Sequence, residues 1–137
     1  MPERSVLVEE YLDGPEVSGD SVCIDGRVTP LVLAHKQLGF VPGFEEVGHI
    51  VQADDELLSG GALPAVLQGA HEALGLTRAM THTELRLTSS GPRVLEVDAR
   101  TGGGMIPRLG QLVTGIDLGR VSAELAVGAD GAYRRHP

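Results

Sequence analysis

The stretch from Met80 to Arg108, MTHTELRLTSSGPRVLEVDARTGGGMIPR, constrains the fold more than any other part of the chain. Positions 83–88 and 93–100 alternate polar and apolar, the period of a strand with one buried face. Ser89-Ser90-Gly91 lies between them, and a three-residue hairpin loop takes Gly at its left-handed third position. That loop pairs Glu84 with Glu96 and His82 with Asp98, and it sends Leu85, Leu87, Leu95 and Val97 toward a core. Residues opposite each other on a ladder share a face, so His82, Glu84, Glu96 and Asp98 form one cluster. Such a stripe can be the plain solvent face of a hairpin. The mutual repulsion of three carboxylates argues instead for a cation among them. Acidic oxygens on rigid strands suit Mg²⁺, whose sites usually include substrate phosphates.

At 137 residues the chain has room for one domain with one core. Only 3% of it is aromatic and Trp is absent, so Leu, Val, Ile and Ala must fill that core. The formal charge of −8 argues against nonspecific nucleic-acid binding, which needs a basic face. A phosphate ligand would therefore need local cations or Mg²⁺. No apolar run is long enough to span a bilayer, and no signal-peptide core follows Met1, so a membrane partner is not expected. Cys23 is the single cysteine, which excludes an internal disulfide, and no Cys/His spacing suggests zinc. The cytoplasm is the expected location.

Residues 5–12 read as a strand, Asp13-Gly14-Pro15 as a turn and 16–24 as a second strand. Asp25-Gly26 is a strong two-residue hairpin signal leading into a strand over 27–34, where Pro30 indicates an edge or a bend. Residues 37–53, punctuated by Gly39, Pro42, Gly43 and Gly48, read as an irregular loop. Helical spacing of Leu63, Val66, Leu67, Ala70 and Leu74 predicts a helix over 62–74 closed by Gly75. After the hairpin, Gly102–Gly104 leads into a helix over 105–113 with Pro107 in its first turn, and Thr114-Gly115 ends it. Asp117 caps a last helix reaching Val127. Residues 1–128 form the domain and 129–137 a frayed tail. The class is α+β with a mainly antiparallel sheet packed with helices.

Other residues could carry chemistry. The segment 9–16, EEYLDGPE, ends a strand in a tight turn whose free backbone groups can bond a purine edge, with Glu16 placed for ribose hydroxyls. Strand–turn–strand with acidic residues is also commonplace. Arg100 shares the predicted face of Asp98 and either neutralises the carboxylates or binds a carboxylate or phosphoryl oxygen in a bidentate manner. Gly102–Gly104 ahead of a helix lets a backbone approach an anion. Lys36, the only lysine, reads as a surface charge on the loop rim, or as a group that reaches a terminal phosphate if the loop folds over a nucleotide. His82 is a hydrogen-bond partner of the carboxylates or a neutral histidine packed at the strand start. His35, His49, His71 and His136 have no partner at catalytic or metal spacing, and Cys23 belongs to a core or an interface. Neither a Ser/His/Asp arrangement nor a Walker-type phosphate loop is present.

In order, VEEYLDGPEVSGDSV, IDGRV, ALGL, HTELRLTSSGPRVLEVDARTGGGMIPRL and TGIDL resemble the ATP-grasp superfamily. The nearest likeness is to its carboxylate–amine ligases, which include amino-acid and dipeptide ligases. The resemblance runs over about 6–128 and implies the C-terminal half of an ATP-grasp fold. It places Glu9, Glu10 and Leu12 at the adenine hinge, Glu16 at the ribose, and Glu84, Glu96 and Asp98 among the metal ligands. Arg100 then matches the arginine for the acyl-phosphate or substrate carboxylate, and His82 a histidine near the substrate. ATP and Mg²⁺, with Mn²⁺ as a substitute, are the implied cofactors, and a small carboxylate and an amine the substrates. Asp98 stands where the family usually has Asn, and Met80 where a small residue is common. The family's preceding domain and the half that grips the ATP phosphates are not in this sequence. The expectation is an enzyme half that is inactive alone and that either meets its missing half or forms a homo-oligomer. A non-catalytic binding module that keeps the fold is the alternative.

Overall fold

The computed structural model describes residues 5–40, 42, 45–129 and 133. The centre of the molecule is strand β1 (Glu16–Ile24), buried along nearly its whole length between β2 (Arg27–Gly39) and β4 (Arg78–Thr88). The edges are β3 (Glu45–Val51), paired with β2, and β5 (Gly91–Asp98), paired with β4. All pairings are antiparallel, in the order β3-β2-β1-β4-β5. The β1–β2 turn is Asp25-Gly26 with φ of 51° and 77°, the left-handed pair that a two-residue hairpin requires.

Helices α1 (Glu56–Ser59) and α2 (Ala62–Ala73) cover one face of the sheet. There Leu63, Leu67, Val17, Leu33 and Leu85 form one core cluster. Helices α3 (Ile106–Thr114) and α4 (Leu118–Ala126) pack on the other face, where Ile106, Leu118, Val121 and Leu125 meet Val22, Val32, Ala34 and Met80. Alternation along each strand separates the two clusters. The caps fall where the residue types require them. Asp117 accepts from the Arg120 N–H at 3.0 Å, and Gly115 ends α3 in the left-handed conformation. No helix among the described residues is long and apolar enough to cross a membrane.

Three expectations need correction, and that for Pro30 is met in one of its two forms. Residues 5–12 do not form a strand. Val6, Leu7, Val8 and Tyr11 are exposed, and no ladder partner lies against them among the described residues. Apolar, β-branched composition makes a strand only where a neighbour completes its hydrogen bonds. Residues 37–39 and 45–51 do not belong to an irregular loop, because β2 continues to Gly39 and β3 returns beside it. A bulge at Val47 and an exposed edge position erase the alternation that would have revealed β3. Pro30 lies in the interior strand β2, opposite Ser21 at a bulge that leaves Leu31 unpaired; the bend is present, and the ladder to β3 runs only from Ala34. The β4–β5 turn has two residues, since Thr88 pairs with Gly91. A bulge at Leu95 then restores the expected Glu84–Glu96 and His82–Asp98 pairs while leaving Leu95 exposed and bringing Val94 to the core. The expected frayed tail falls mostly outside the described residues.

Gly14 marks where the N-terminal segment crosses the end of β4. Its φ is 90°, its carbonyl accepts from Arg86 at 2.8 Å, and a Cβ there would lie 2.3 Å from the Leu87 carbonyl oxygen. Gly14→Ala is expected to cost about 2 kcal/mol through strain and displaced backbone, read as a lower urea midpoint at unchanged slope. An unchanged midpoint would show that the crossing is loose.

Candidate active site

The functional side chains stand on the α3/α4 face of the sheet, beyond the part that those helices cover. The ladder sets Glu16, Ser18 and Asp20 of β1 directly opposite Arg86, Glu84 and His82 of β4. On the far side of β4, Glu84 and His82 oppose Glu96 and Asp98 of β5. A cleft of about 220 Å³ opens here, lined by Lys36, Glu46, His82, Glu84, Arg100, Gly103, Gly104 and Ile106. The predicted cross-strand pairing is therefore present, and of its four residues His82 and Glu84 line the cleft.

Lys36 is not the surface charge that its sequence setting suggested. It belongs to β2, and its side chain is only 6% exposed. Its Nζ lies 2.8 Å from Glu16 Oε1, 2.8 Å from Glu84 Oε1 and 3.6 Å from Glu46 Oε2. Arg86 Nη2 holds the other oxygen of Glu16 at 2.9 Å. Burial works against the ammonium, but the two close carboxylates outweigh it and hold the Lys36 pKa above its ordinary value. Two bonds to carboxylates on different strands make Lys36 the clamp of the site.

His82 is almost fully buried, with Nδ1 3.1 Å from Asp20 Oδ1 and Nε2 3.8 Å from Glu84 Oε1. Desolvation opposes its protonation, yet the carboxylates on both sides raise its pKa from 6.5 to about 9. The His82 imidazolium beside it lowers the Glu84 pKa to about 2, and Lys36 adds to this against the effect of burial. At neutral pH the cleft thus holds an imidazolium, an ammonium and an ionised Glu84 in contact.

Arg100 lies past the end of β5 and donates through Nη2 to Asp98 and through Nη1 to the Thr101 carbonyl at 3.0 Å. It is half-exposed, so the guanidinium both neutralises Asp98 and reaches the cleft. Glu96 is exposed and makes no ion pair among the described residues. Among the described residues no group of three or more His, Cys, Asp or Glu side chains is arranged to hold a metal ion. The cationic side chains already occupy much of the acidic set.

Glu9, Glu10 and Leu12 lie in the extended N-terminal segment, apart from the Lys36 cleft. Glu10 and Leu12 line a shallow depression of about 140 Å³ against the β4–β5 turn, where Glu10 Oε2 is 4.0 Å from Arg93 Nη2. The other described histidines have partners near and far in sequence, and His49 Nε2 lies 3.1 Å from Glu46 on its own strand. His35 Nε2 lies 2.7 Å from Asp55, the N-cap of α1, and His71 is buried between the Leu67 carbonyl and the Thr81 hydroxyl, 2.7 Å from each. His136 falls outside the described residues. Cys23 is fully buried in β1, as expected of a core residue, and burial raises its thiol pKa.

Sequence reasoning missed Asp20. It is fully buried at the middle of β1, and its Oδ1 accepts from the Gly102 N–H at 2.7 Å and contacts His82. The signal was available. Ser18-Gly19-Asp20-Ser21 is a polar run inside an otherwise apolar strand, and Asp20 shares the parity of Glu16.

The sheet is five-stranded and antiparallel with helices on both faces, and acidic side chains, a buried lysine and a glycine turn stand beside one cleft. The chain belongs to the ATP-grasp family: the family model for the ATP-grasp domain matches residues 1–108. Mouse (Mus musculus) carnosine synthase 1 is 27% identical over 137 residues, covering 98% of this chain and 16% of the synthase. The crystal structure of L-amino acid ligase from Bacillus licheniformis superposes with a TM-score of 0.76 at 31% identity, covering 93% of this chain and 34% of that one. The biotin carboxylase domain of the Hydrogenobacter thermophilus 2-oxoglutarate carboxylase, solved with MgADP, ADP and bicarbonate, shares the fold alone. Its TM-score is 0.66 at 16% identity, over 93% of this chain and 28% of that one. This chain therefore spans only a minor part of each of these proteins.

Proposed function

We propose that this chain is the C-terminal portion of an ATP-dependent carboxylate–amine ligase, carrying its metal and acceptor half and inactive or very weak alone. The observation that supports this best is Lys36, buried between Glu16 and Glu84 in a cleft that Arg100 and the glycine turn also line. Three cationic side chains in one small cleft of an acidic protein suit an anionic ligand.

The acidic residues fit a hard cation by donor type. Glu84 and Glu96 are opposed on two paired strands, Asp98 follows two register pairs on, and every donor is oxygen. These three would hold Mg²⁺, or Mn²⁺ in its place. Bound there, the cation would supply charge neutralisation for phosphate oxygens. Glu9, Glu10 and Leu12 would form the backbone-lined adenine hinge, with Glu16 receiving the ribose. Lys36 would exchange a carboxylate partner for a phosphate oxygen. Arg100 would orient the acceptor acid and balance charge on the acyl-phosphate. In that reaction the γ-phosphoryl group passes from ATP to the acceptor carboxylate with release of ADP, an amine attacks the carbonyl, and phosphate and a proton leave as the amide forms. His82 would sit beside the reacting groups as a fixed positive charge. The exposed strip of Val6, Leu7, Val8 and Tyr11 would be covered by the complementary half or by a second copy.

One observation favours a second reading, a non-catalytic module that retains the fold: Lys36, His82 and Arg100 already neutralise the acidic set internally. Calorimetric titration of ATP with and without Mg²⁺, repeated on Glu96→Ala, separates the two. Under the ligase reading, binding requires Mg²⁺ and weakens at least about tenfold in the variant, the effect of losing one charged ligand. No binding in any condition would sink that reading in favour of the module.

A further inference from the structure

We propose that Asp20 is a positioning residue, whose one buried carboxylate oxygen locks His82 to the glycine turn so that ring and turn face the cleft as one unit. The proposal rests on the reading of that cleft as the site, and concerns how it is built. Asp20 is fully buried in the central strand, where an ionised carboxylate is costly without partners. Its Oδ1 takes two: the Gly102 N–H at 2.7 Å, 82 positions away, and His82 Nδ1 at 3.1 Å. Its Oδ2 has no hydrogen-bond partner although it is buried, so the carboxylate's stabilisation is concentrated on that one shared oxygen.

The geometry has two consequences for the cleft. With Nδ1 committed to Asp20, Nε2 is the ring nitrogen turned toward Glu84, 3.8 Å away. With its N–H committed, Gly102 is drawn so close that no side chain fits. A Cβ there would be 2.9 Å from His82 Nδ1 and 3.0 Å from Asp20 Oδ2. The next residues, Gly103 and Gly104, line the cleft and lead into α3. Asp20 does not itself line the cleft. It acts through His82 and the turn, and without it the turn would have no fixed distance from the ring.

The test uses the 137-residue chain without nucleotide, so it reads this link even if the chain binds no ATP. Amide hydrogen exchange and the ring protons of His82 are followed by NMR in the parent, Asp20→Asn, Asp20→Ala and Gly102→Ala. Loss of a hydrogen bond to a charged acceptor should speed exchange at Gly102 by about 10- to 100-fold in the Ala variant. Asp20→Asn keeps an uncharged acceptor and should fall between. In both, the His82 Nδ1–H signal should be lost to solvent exchange while amides along the β1–β4 ladder stay protected. Gly102→Ala keeps the Asp20 carboxylate but crowds it and the ring together, and should displace the same His82 signal. Gly102 exchange unchanged in both Asp20 variants, with the ladder intact, would overturn the proposal. Should Asp20→Ala loosen the ladder itself, Asp20→Asn and Gly102→Ala decide, and an unmoved His82 signal in Gly102→Ala is the overturning result.

Discussion

Lys36→Ala is expected to destabilise the chain by about 3–5 kcal/mol, the range for removing one partner of a buried ion pair. The reason lies in what remains. Glu16 and Glu84 have side chains only 11% and 27% exposed, and without the ammonium they face each other across neighbouring strands. Arg86 can still neutralise Glu16, and His82 can still neutralise part of Glu84. That keeps the estimate below the cost of two unpaired buried charges. Loss of the aliphatic stem adds a packing term of the same sign. Thermal unfolding should show the midpoint falling by roughly 10–20 °C for a domain of this size. Glu84→Gln combined with Lys36→Ala should recover part of the loss, because it removes one stranded charge. A single variant within about 1 kcal/mol of the parent would mean that the lysine is solvated and the clamp is not formed.

The second large effect is in pH. The folded-state pKa of His82, about 9, is raised above its ordinary 6.5. Its contribution is therefore fully present below about pH 6.5 and is lost as pH rises through 9. Glu84 is depressed from 4.5 to about 2, so its contribution is present above pH 4.5 and lost as pH falls through 2. Stability of the metal-free chain should accordingly form a plateau between roughly pH 4.5 and 6.5 and decline on both sides. The alkaline decline amounts to about 3 kcal/mol for a shift of this size. The two shifts describe one set of contacts from both ends, so their energies do not add. Urea unfolding across pH in the parent and in His82→Gln checks this. The variant should lose most of the decline between pH 6.5 and 9, whereas an identical alkaline limb would assign that decline to other groups.

The polar hairpin shows how far sequence reasoning reaches. Alternation and a turn signal were enough to pair Glu84 with Glu96 and His82 with Asp98, because hairpin register depends on a few contiguous residues. The turn length was misread, and the bulge at Leu95 compensated, so the pairs survived while Leu95 moved from the expected core to the surface. Periodicity cannot see a bulge, which adds one residue to one strand and leaves composition unchanged. The same blindness turned β3 into a loop. Its bulge at Val47 and its exposure as an edge strand left no alternation to read.

Lys36 and Asp20 mark the other boundary. Nothing adjacent to a lone lysine at the end of a valine- and leucine-rich strand says that it is buried; its carboxylate partners lie on β1, β3 and β4 and meet it only when the sheet assembles. Asp20 likewise needs Gly102, brought beside it by the return of the chain after β5. The sequence by itself determined helices α2, α3 and α4, the Asp117 cap, the central hairpins, the acidic face and membership in the ATP-grasp family. These follow from short-range periodicity, from turn and cap chemistry, and from motifs in order. Only the tertiary structure decided which charges are buried, which are paired and what stands beside the glycine turn. A side chain's burial and partners come from strands distant in sequence, and no local pattern carries that distance.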